Sequence, residues 1–286
     1  MIAHVAEAGE DRGRVVLRLD PAVRPSRIAL EAAVRIAQAF QSEIESLIVA
    51  DQQLFELASF SFACEVSRSG RVQPLSADNL QRDIVVAAAA MSRSVREVAS
   101  RSGVRVHERV VRDEPVRAVA RTCSELGPWN VVALAEPFGA GHAAVIGQLF
   151  DAVLGATGIV VVGPRAVRLT GPVLVAVEEI DRLPPMLRAA ERLAAVTRAD
   201  VRLLIISEDP RDLEWMEDQA RLVLGASPRV KLESSHPVRD TAELAERIRR
   251  LGGGFLIAQY GGVVVPGAGD LRPLALAMEC PLLLVR

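Results

Sequence analysis

Short apolar segments alternate with longer amphipathic segments along this chain, and the same order occurs twice. The first series of β-branched runs, each bounded by turn residues, lies at 15–19, 44–50, 104–111, 131–134 and 159–162. The second series lies at 173–177, 201–207, 229–234, 255–258 and 282–285. Helical spacing is found between them, in the first series at 28–40, 83–100, 115–126 and 147–154. Apolar strands that alternate with helices are typical of a parallel sheet covered on both faces, so we predict an α/β fold.

The spacing between the two series indicates a duplication with one insertion. Corresponding strands begin 158, 157, 124 and 123 residues apart, for the pairs Val15/Val173, Ile44/Val201, Val131/Phe255 and Ile159/Leu282. An offset that is constant, drops by about thirty residues and is then constant again is what one insertion produces. We therefore predict two tandem doubly wound parallel five-stranded sheets. Their domains are 1–168, with an insertion near 51–78, and a shorter one at 169–286, joined by the Gly/Pro-containing segment GPRAVRLTGP (163–172).

Composition and charge argue against several classes of protein. The 286 residues carry a net charge of −2 at pH 7, with a pI of about 6.2, which is unlike a general nucleic-acid-binding protein. Three cysteines, Cys64, Cys123 and Cys280, are too few and too scattered for a disulfide framework or a CxxC metal site. The amino terminus lacks the apolar core of a signal peptide, and no uncharged apolar run approaches the roughly 18 residues of a membrane span. We expect a cytoplasmic protein that binds neither nucleic acid nor membranes.

Three segments of the first copy carry a family resemblance. RVVLRLDPAVRPSRIALEAAVRIA (14–37) contains a strand, an aspartate, a loop and a serine-led helix, and VHERVVRDEPVRAVARTCSELGPWNVVALAEP (106–137) contains two strands and the helix between them. GQLFDAVLGATGIVVV (147–162) contains a glycine-led helix and a strand. In this order they resemble the universal stress protein family, and 171–194 and 269–285 resemble it more loosely. The resemblance implies an adenine nucleotide α-hydrolase-like fold and a role in stress response or regulation.

The resemblance also implies where ATP would bind. ATP-binding members of the family carry G-x2-G-x9-G-(S/T) after the fourth strand, where glycine N–H groups and the hydroxyl hold the phosphates at a helix N-terminus. Asp20 stands at the position of the family's aspartate, which contacts adenine or ribose, and Gly147 stands at the last glycine. Leu134 and Pro137 occupy the positions of the other two glycines, and Gln148 replaces the hydroxyl residue. Proline removes one N–H donor from the loop.

Two interpretations of the loop EPFGAGHAAVIGQLF (136–150) remain open. In the first, a shifted set of glycines still holds phosphate, so that the first domain binds ATP or another adenine nucleotide. The candidate cofactor-binding residues are then Asp20, Val49, Gly139, Gly141, Gly147 and Gln148. In the second, the loop is a flexible turn left behind by a lost site.

The second copy departs further from a nucleotide site. Its loop, QYGGVVVPGAGDLRP (259–273), is shorter, and Asp270 follows a glycine where the family has a hydroxyl, so its carboxylate would repel phosphate. At the position of the first copy's aspartate it has Glu178 and Glu179, followed by Asp181. This acidic group would suit Mg²⁺, although such clusters are more often solvated loops.

No catalytic constellation stands out. His142 would reach a phosphate if the loop binds one, but a surface histidine is the simpler interpretation. Ser26 fits a helix N-cap better than a nucleophile, because no partner base is identifiable. No triad, paired carboxylates or metal-ligand spacing is present. We expect no enzymatic activity, no catalytic residues and no metal site.

The insertion at 51–78 is rich in apolar residues. Leu54, Leu57, Phe60, Phe62 and Val66 form a set that we expect to be sheltered from water. Three interpretations are open: a flap over the cleft at the carboxyl ends of the strands, an association surface, or a helix packed on its own domain.

Two functions compete, and hydrolysis or adenylyl chemistry is a less favoured third because no general base or metal set is found. The first is a tandem universal-stress-type module that binds an adenine nucleotide in the first domain only. The second is a dimerisation or protein-interaction module without nucleotide. In the second, the strands at 159–162 and 282–285 are the candidate edges for an internal pseudo-dimer of the two domains, and a homodimer is a further expectation.

Overall fold

Strands and helices alternate along the chain. The computed structural model describes residues 13–67, 69–127, 130–136, 138, 142–153, 156–225, 229–233, 237, 241–265 and 272–286. The strands are β1 (Val15–Leu19), β2 (Ile44–Asp51), β3 (Cys64–Val66), β4 (Val72–Pro74), β5 (Val106–Asp113), β6 (Asn130–Leu134), β7 (Ala156–Val161), β8 (Val173–Val177), β9 (Val201–Ile205), β10 (Val230–Leu232), β11 (Phe255–Gln259) and β12 (Leu282–Val285). The helices are α1 (Arg27–Ala39), α2 (Gln52–Leu57), α3 (Ala77–Ser100), α4 (Pro115–Glu125), α5 (His142–Ala152), α6 (Leu183–Thr197), α7 (Pro210–Leu224), α8 (Thr241–Arg250) and α9 (Arg272–Ala277), with a 3-10 turn at Ile180–Arg182.

One mostly parallel sheet holds the described fold together. Its strand order is β10-β9-β8-β11-β12-β7-β6-β1-β2-β5. β3 and β4 form a separate hairpin and are not part of this sheet. When only the five strands that each half contributes are counted in chain order, both halves have the order third, second, first, fourth and fifth from the outer edge inwards. The prediction of an α/β fold with doubly wound parallel strands is therefore confirmed. The domain bounds at 168 and 169 stay a prediction.

The two five-stranded sets, predicted as tandem sheets, meet in a single continuous sheet at the two strands named above as candidate edges. β12 and β7 pair antiparallel, with Leu284 opposite Ile159 and Leu283 opposite Val160. These side chains are buried, and they are apolar. An apolar edge strand with open backbone groups attracts another strand, so pairing removes one edge from each half. Gly158 permits the close approach, because a Cβ there would lie 2.9 Å from the Leu284 carbonyl oxygen.

Helix starts follow the capping chemistry of the sequence. Ser26 accepts a hydrogen bond from the Ala29 N–H of α1, as its N-cap position predicts. Glu114 caps α4 by accepting from the N–H groups of Val116 and Arg117, at 2.9 and 2.8 Å. These caps fix the direction in which each helix leaves the carboxyl end of its strand.

Hydrophobic layers cover both faces of the sheet. α1, α3, α6 and α7 contribute to one buried cluster, and α4, α5, α8 and α9 contribute to the other. The inner strands β1, β6, β8 and β11 are buried on both sides, so their sequences are mostly apolar and do not alternate, whereas the edge strand β5 is largely exposed. Among the described helices, none is long and apolar enough to cross a membrane.

The insertion forms α2 and a two-stranded hairpin, β3–β4, before α3. Phe55 anchors it in a small buried cluster with Ala50 and Ile84. The expectation that its other apolar residues are sheltered was wrong: Phe62 is 76% exposed, and Phe60 stacks on it at 5.4 Å between ring centres instead of entering the core. The hairpin carries Val66 outside the hydrophobic layers. Phe55 and Ala63 are buried, whereas Leu54, Leu57, Phe60, Phe62 and Val66 are exposed.

Candidate functional site

The predicted site lies where the strand order reverses in the first half of the sheet. β1 has β2 on one side and β6 on the other. The helix after β1 is α1 and the helix after β6 is α5, and these two helices pack on opposite faces of the sheet. In open α/β sheets, ligands bind in the crevice at such a point. Asp20 directly follows β1, and Glu136 is the second residue after β6. The fold therefore places two acidic residues at this crevice.

Asp20 is held by a local turn and by its neighbour strand. Its Oδ1 accepts a hydrogen bond from the Ala22 N–H at 2.8 Å, which makes an Asx turn. Its own N–H donates to Glu136 Oε1 at 2.8 Å. The loop that follows is tied to the residue directly after β6 by the Ser26 N–H, which donates to the Ala135 carbonyl at 2.7 Å. Asp20 is thus in the predicted position, but one of its carboxylate oxygens already has an intramolecular donor.

Glu136 is a site residue that the sequence did not reveal. It is only 4% exposed, and Oε2 has no hydrogen-bond partner among the described residues. A buried carboxylate with an unsatisfied oxygen is costly unless a donor reaches it. Negative charge at this point of the crevice opposes a phosphate group.

Two hydrophobic side chains near the carboxyl ends of β2 and β6 are buried in one layer of the protein. Val49, in β2, and Phe138 are both buried and belong to the same hydrophobic cluster. The Phe138 N–H donates to the Val162 carbonyl at 2.7 Å, which fixes the chain across the ends of β6 and β7. Val49 therefore presents its side chain to other protein groups in this structure.

The glycines of the loop are only partly within the described residues. Gly139 and Gly141 lie outside them. Gly147 and Gln148 are the sixth and seventh residues of α5, so their N–H groups fall within the i to i−4 bonding of the helix, where the family pattern implies a helix N-terminus. A Cβ on Gly147 would lie 3.2 Å from the Tyr260 hydroxyl, so this glycine lies close to a residue of the second half.

Gln148 lines a different surface. It is exposed and borders a shallow cavity of about 480 Å³, together with Glu114, Val116, Asp151 and Ala152. Two of these five lining residues are acidic, which disfavours phosphate. The described residues do not bring Gln148 next to Asp20 in this cavity.

Arg18 is a second residue that sequence reasoning missed. It lies inside β1, two residues before Asp20, and it is buried. Its Nε has no hydrogen-bond partner in the described part of the chain. Its equivalent in the second half, at the offset of 158 residues, is Ala176. A buried guanidinium is the kind of group that anions compensate.

In the second half, a carboxylate accepts hydrogen bonds from backbone N–H groups of the loop after β11. Glu178, which directly follows β8, accepts hydrogen bonds from the N–H groups of Val263 and Val264, the latter at 2.9 Å. A Cβ on Gly262 would lie within 3.0 Å of the Glu178 carboxylate carbon and of both its oxygens. Burial raises the pKa of Glu178, and the two backbone hydrogen bonds oppose this effect. The carboxylate therefore occupies backbone donors in the loop after β11.

Metal and thiol chemistry find no support in the described residues. They contain no cluster of three or more His, Cys, Asp or Glu side chains suited to a metal ion, which leaves the Mg²⁺ interpretation of Glu178, Glu179 and Asp181 without a site. Burial raises the pKa of the Cys123 and Cys280 thiols to about 12, so both stay protonated. The side chain of His142 lies outside the described residues.

Comparisons with known proteins identify the fold. No protein-family model matches the chain, and no curated protein matches it. A universal stress protein from Archaeoglobus fulgidus is similar over 95% of this chain and 98% of its own, with 13% identity and a TM-score of 0.61. A putative universal stress protein from Pseudomonas aeruginosa is similar over 96% and 93%, with 13% identity and a TM-score of 0.58.

The same fold occurs in a transport protein. The cytoplasmic domain of a prokaryotic cation chloride cotransporter is similar over 96% of this chain and 95% of its own, with 11% identity and a TM-score of 0.58. At such identities the likeness establishes architecture only. The chain has the fold of universal stress proteins.

Proposed function

We propose that the protein is a stress-response or regulatory module of the universal stress type that acts through contacts with other proteins and holds no nucleotide in either half. The observation that carries this proposal is the contact of the Glu178 carboxylate with the N–H groups of Val263 and Val264. In ATP-binding universal stress proteins, N–H groups of the corresponding loop donate hydrogen bonds to phosphate oxygens.

In the second half, a phosphate would compete with a group that is already part of the chain. Glu178 presents the same chemistry as a phosphate, namely negatively charged oxygens that accept from backbone N–H groups. An incoming phosphate would have to displace it and would then stand beside the displaced carboxylate and Glu179. A phosphate and two neighbouring carboxylates carry charge of the same sign, and they repel one another strongly in a half-buried site.

In the first half, the crevice is occupied in a different way. The buried Glu136 carboxylate lies against the Asp20 N–H, and Phe138 and Val49 pack in the hydrophobic layer. A phosphate bound beside Asp20 would lie near the Glu136 carboxylate, and like charges repel. The buried Glu136 carboxylate therefore supports a first half that holds no nucleotide.

The structural neighbours include proteins of more than one kind. One of them is, by its name, the cytoplasmic domain of a cotransporter, so this fold also serves as a part of a larger protein. A tandem arrangement, a location in the cytoplasm and a role in stress response are proposals that rest on the likeness of fold and sequence.

Calorimetric titration of the full chain with ATP and Mg²⁺ tests the proposal. We expect no saturable heat at millimolar ligand for the wild type, and none for Asp20→Ala. Glu178→Gln serves as a second comparison, because it keeps the size of the side chain and removes its charge. Saturable binding to the wild type that disappears in Asp20→Ala would overturn the proposal.

A second candidate function is supported by Arg18. A buried guanidinium whose Nε has no described partner, two residues before Asp20, is suited to compensation by an anion. We therefore keep adenine-nucleotide binding in the first half as the second proposal, through Asp20, Val49, Gly139, Gly141, Gly147 and Gln148, with Arg18 as an added anion contact. In this case Arg18→Met, which keeps an apolar stem of similar length, abolishes the calorimetric signal while the thermal unfolding temperature stays close to that of the wild type.

A further inference from the structure

The first half ends in a long sheet edge. β5 is the last strand in the order, and all eight of its residues pair in parallel register with β2. Within the described residues, no strand pairs with its outer side. The other end of the sheet, β10, is only three residues long. Since an open edge presents rows of N–H and C=O groups, β5 offers far more backbone for pairing than β10.

An apolar stripe lies along this edge. Val110, in the middle of β5, is 57% exposed. Arg96 of α3 pairs with Glu108 of β5 at 2.5 and 3.0 Å, which shows which side of α3 lies along the edge. Ala89 and Val85 lie seven and eleven residues before Arg96, so they share that side of the helix, and both are exposed.

Charged residues bracket the apolar stripe. Glu108 and Arg112 lie two residues on either side of Val110, and alternation along the strand places all three on the face covered by α3. We name Val85, Ala89, Glu108, Val110 and Arg112 the β5 edge patch. Its centre is apolar and its two ends carry opposite charges.

We propose that a second copy of this chain pairs antiparallel with β5, about a two-fold axis at Val110. In this register Val110 lies opposite Val110 of the second copy. Glu108 lies opposite Arg112, and the symmetry repeats this pair at the other end of the strand. Opposite charges that face each other across antiparallel strands stabilise the pair, and aliphatic residues at the centre exclude water. α3 of each copy then lies on the same face of the joined sheet.

Other symmetric registers are unfavourable. A two-fold axis perpendicular to the sheet must pass through a residue position, because directly opposite side chains have to lie on the same face. Moving the axis to Arg109 places this arginine opposite itself. Moving it to Val111 places Glu108 opposite Glu114. The axis at Val110 is the position in β5 that creates attractive pairs and no like-charge pair.

Both charged ends are already fixed in position. The Arg112 guanidinium lies 3.8 Å from the centre of the Phe55 ring, and its Nε donates to Gln52 Oε1 at 2.7 Å. Glu108 is oriented by Arg96, and a carboxylate has further lone pairs with which it accepts from a second arginine. Little side-chain entropy is then lost when the second copy binds. This inference does not depend on the proposed function, because a nucleotide in the crevice would leave the β5 edge unchanged.

Charge reversal in sedimentation equilibrium tests the register. We expect the wild type to be a dimer. Glu108→Arg and Arg112→Glu each place like charges opposite one another at both ends, so each raises the dimer dissociation constant by about tenfold or more. The double variant restores attraction and returns the constant to near that of the wild type. Arg101→Glu, a charge reversal at the residue that directly follows α3 and lies outside the β5 edge patch, is the control and leaves the constant unchanged.

Cysteine cross-linking tests the axis itself and remains informative if a charge variant fails to fold. Opposite residues of antiparallel strands have Cα atoms about 4.5–5.5 Å apart, which is within the range of a disulfide. In a Cys64→Ser background, Val110→Cys therefore forms a disulfide-linked dimer under mild oxidation. Val86→Cys, which is exposed on α3 but outside the β5 edge patch, does not.

Three results would overturn the inference. The first is a monomeric wild type at its highest soluble concentration. The second is a dimer whose dissociation constant is the same in the wild type and in both single charge variants, since the copies would then meet elsewhere. The third is equal cross-linking of Val110→Cys and Val86→Cys. The first result includes a monomer whose β5 edge binds a strand of a different protein.

Discussion

The substitution Gly262→Ala isolates the contact that closes the second half. An alanine Cβ at this position would lie within 3.0 Å of the Glu178 carboxylate carbon and of both its oxygens. The backbone itself tolerates alanine, because the φ of Gly262 lies outside the left-handed region. The carboxylate is the end of a flexible side chain, so we expect Glu178 to rotate away. The cost of Gly262→Ala is therefore the loss of the contact and not a backbone clash.

The size of this cost follows from the two hydrogen bonds. A hydrogen bond to a charged group contributes about 1.5–3 kcal/mol to stability. The Val263 N–H is exposed, so water replaces the carboxylate there, whereas the Val264 N–H is partly buried and loses more. The released carboxylate also regains hydration. We expect a net loss of about 2 kcal/mol in the free energy of unfolding.

A double-mutant cycle by urea unfolding measures the contact. In a Glu178→Ala background the clash is gone, so Gly262→Ala is neutral or stabilises by up to about 1 kcal/mol through its effect on the unfolded chain. The two substitutions should thus be non-additive by about 2 kcal/mol. Additive costs, within experimental error, would show that Glu178 does not occupy the loop in solution and would remove the main support for a nucleotide-free second half.

Three further predictions concern pH, the centre of the sheet and α5. Burial, with a smaller contribution from Glu179, raises the pKa of Glu178 above its ordinary value of 4.5, so the folded state binds the proton more tightly than the unfolded chain. Stability relative to Glu178→Gln is therefore highest below pH 4.5 and falls as the pH rises through the raised pKa; parallel stability curves for the two proteins would contradict this. Leu284→Ala removes a fully buried side chain where β12 meets β7 and should cost about 2–5 kcal/mol in urea unfolding. A loss below about 1 kcal/mol would show that this junction is poorly packed. Gly147→Ala should change stability by less than about 1 kcal/mol, because the gain in helix propensity offsets the small shift required of the Tyr260 hydroxyl, 3.2 Å from the added Cβ. A melting temperature lowered by many degrees would mean that Gly147 has a conformation other than a helical one.

The sequence predicted the buried strands well because burial on both faces leaves a simple pattern. The runs at 15–19, 173–177 and 282–285 match β1, β8 and β12 residue for residue. Exposed elements leave no such pattern. β3 and β4 were missed because they lie outside the hydrophobic layers, and α3 begins six residues before the predicted start because its first turn is polar.

The site was harder to predict because its contacts join distant parts of the chain. Asp20 was placed correctly, since a residue that directly follows a buried strand has little freedom of position. Glu178 and Val264 are 86 residues apart, and only the strand order brings them together. Glu136 resembles an ordinary loop glutamate in the sequence. Gly147 was assigned from a family pattern, whereas α5 begins five residues before it.

The charges on β5 would normally protect a sheet edge, but here they are divided between two faces with different uses. Arg109 belongs to the face opposite α3. Its guanidinium forms ion pairs with Glu125 at 2.5 Å and with Glu45 at 3.2 Å, so its charge is balanced by carboxylates of the same chain. On the α3 face, Glu108 and Arg112 flank an exposed valine. A single repelling charge at the centre of the strand, such as a lysine, would block every partner. A valine between opposite charges blocks most partners and admits one with the same sequence in the opposite direction, which is what a second copy supplies.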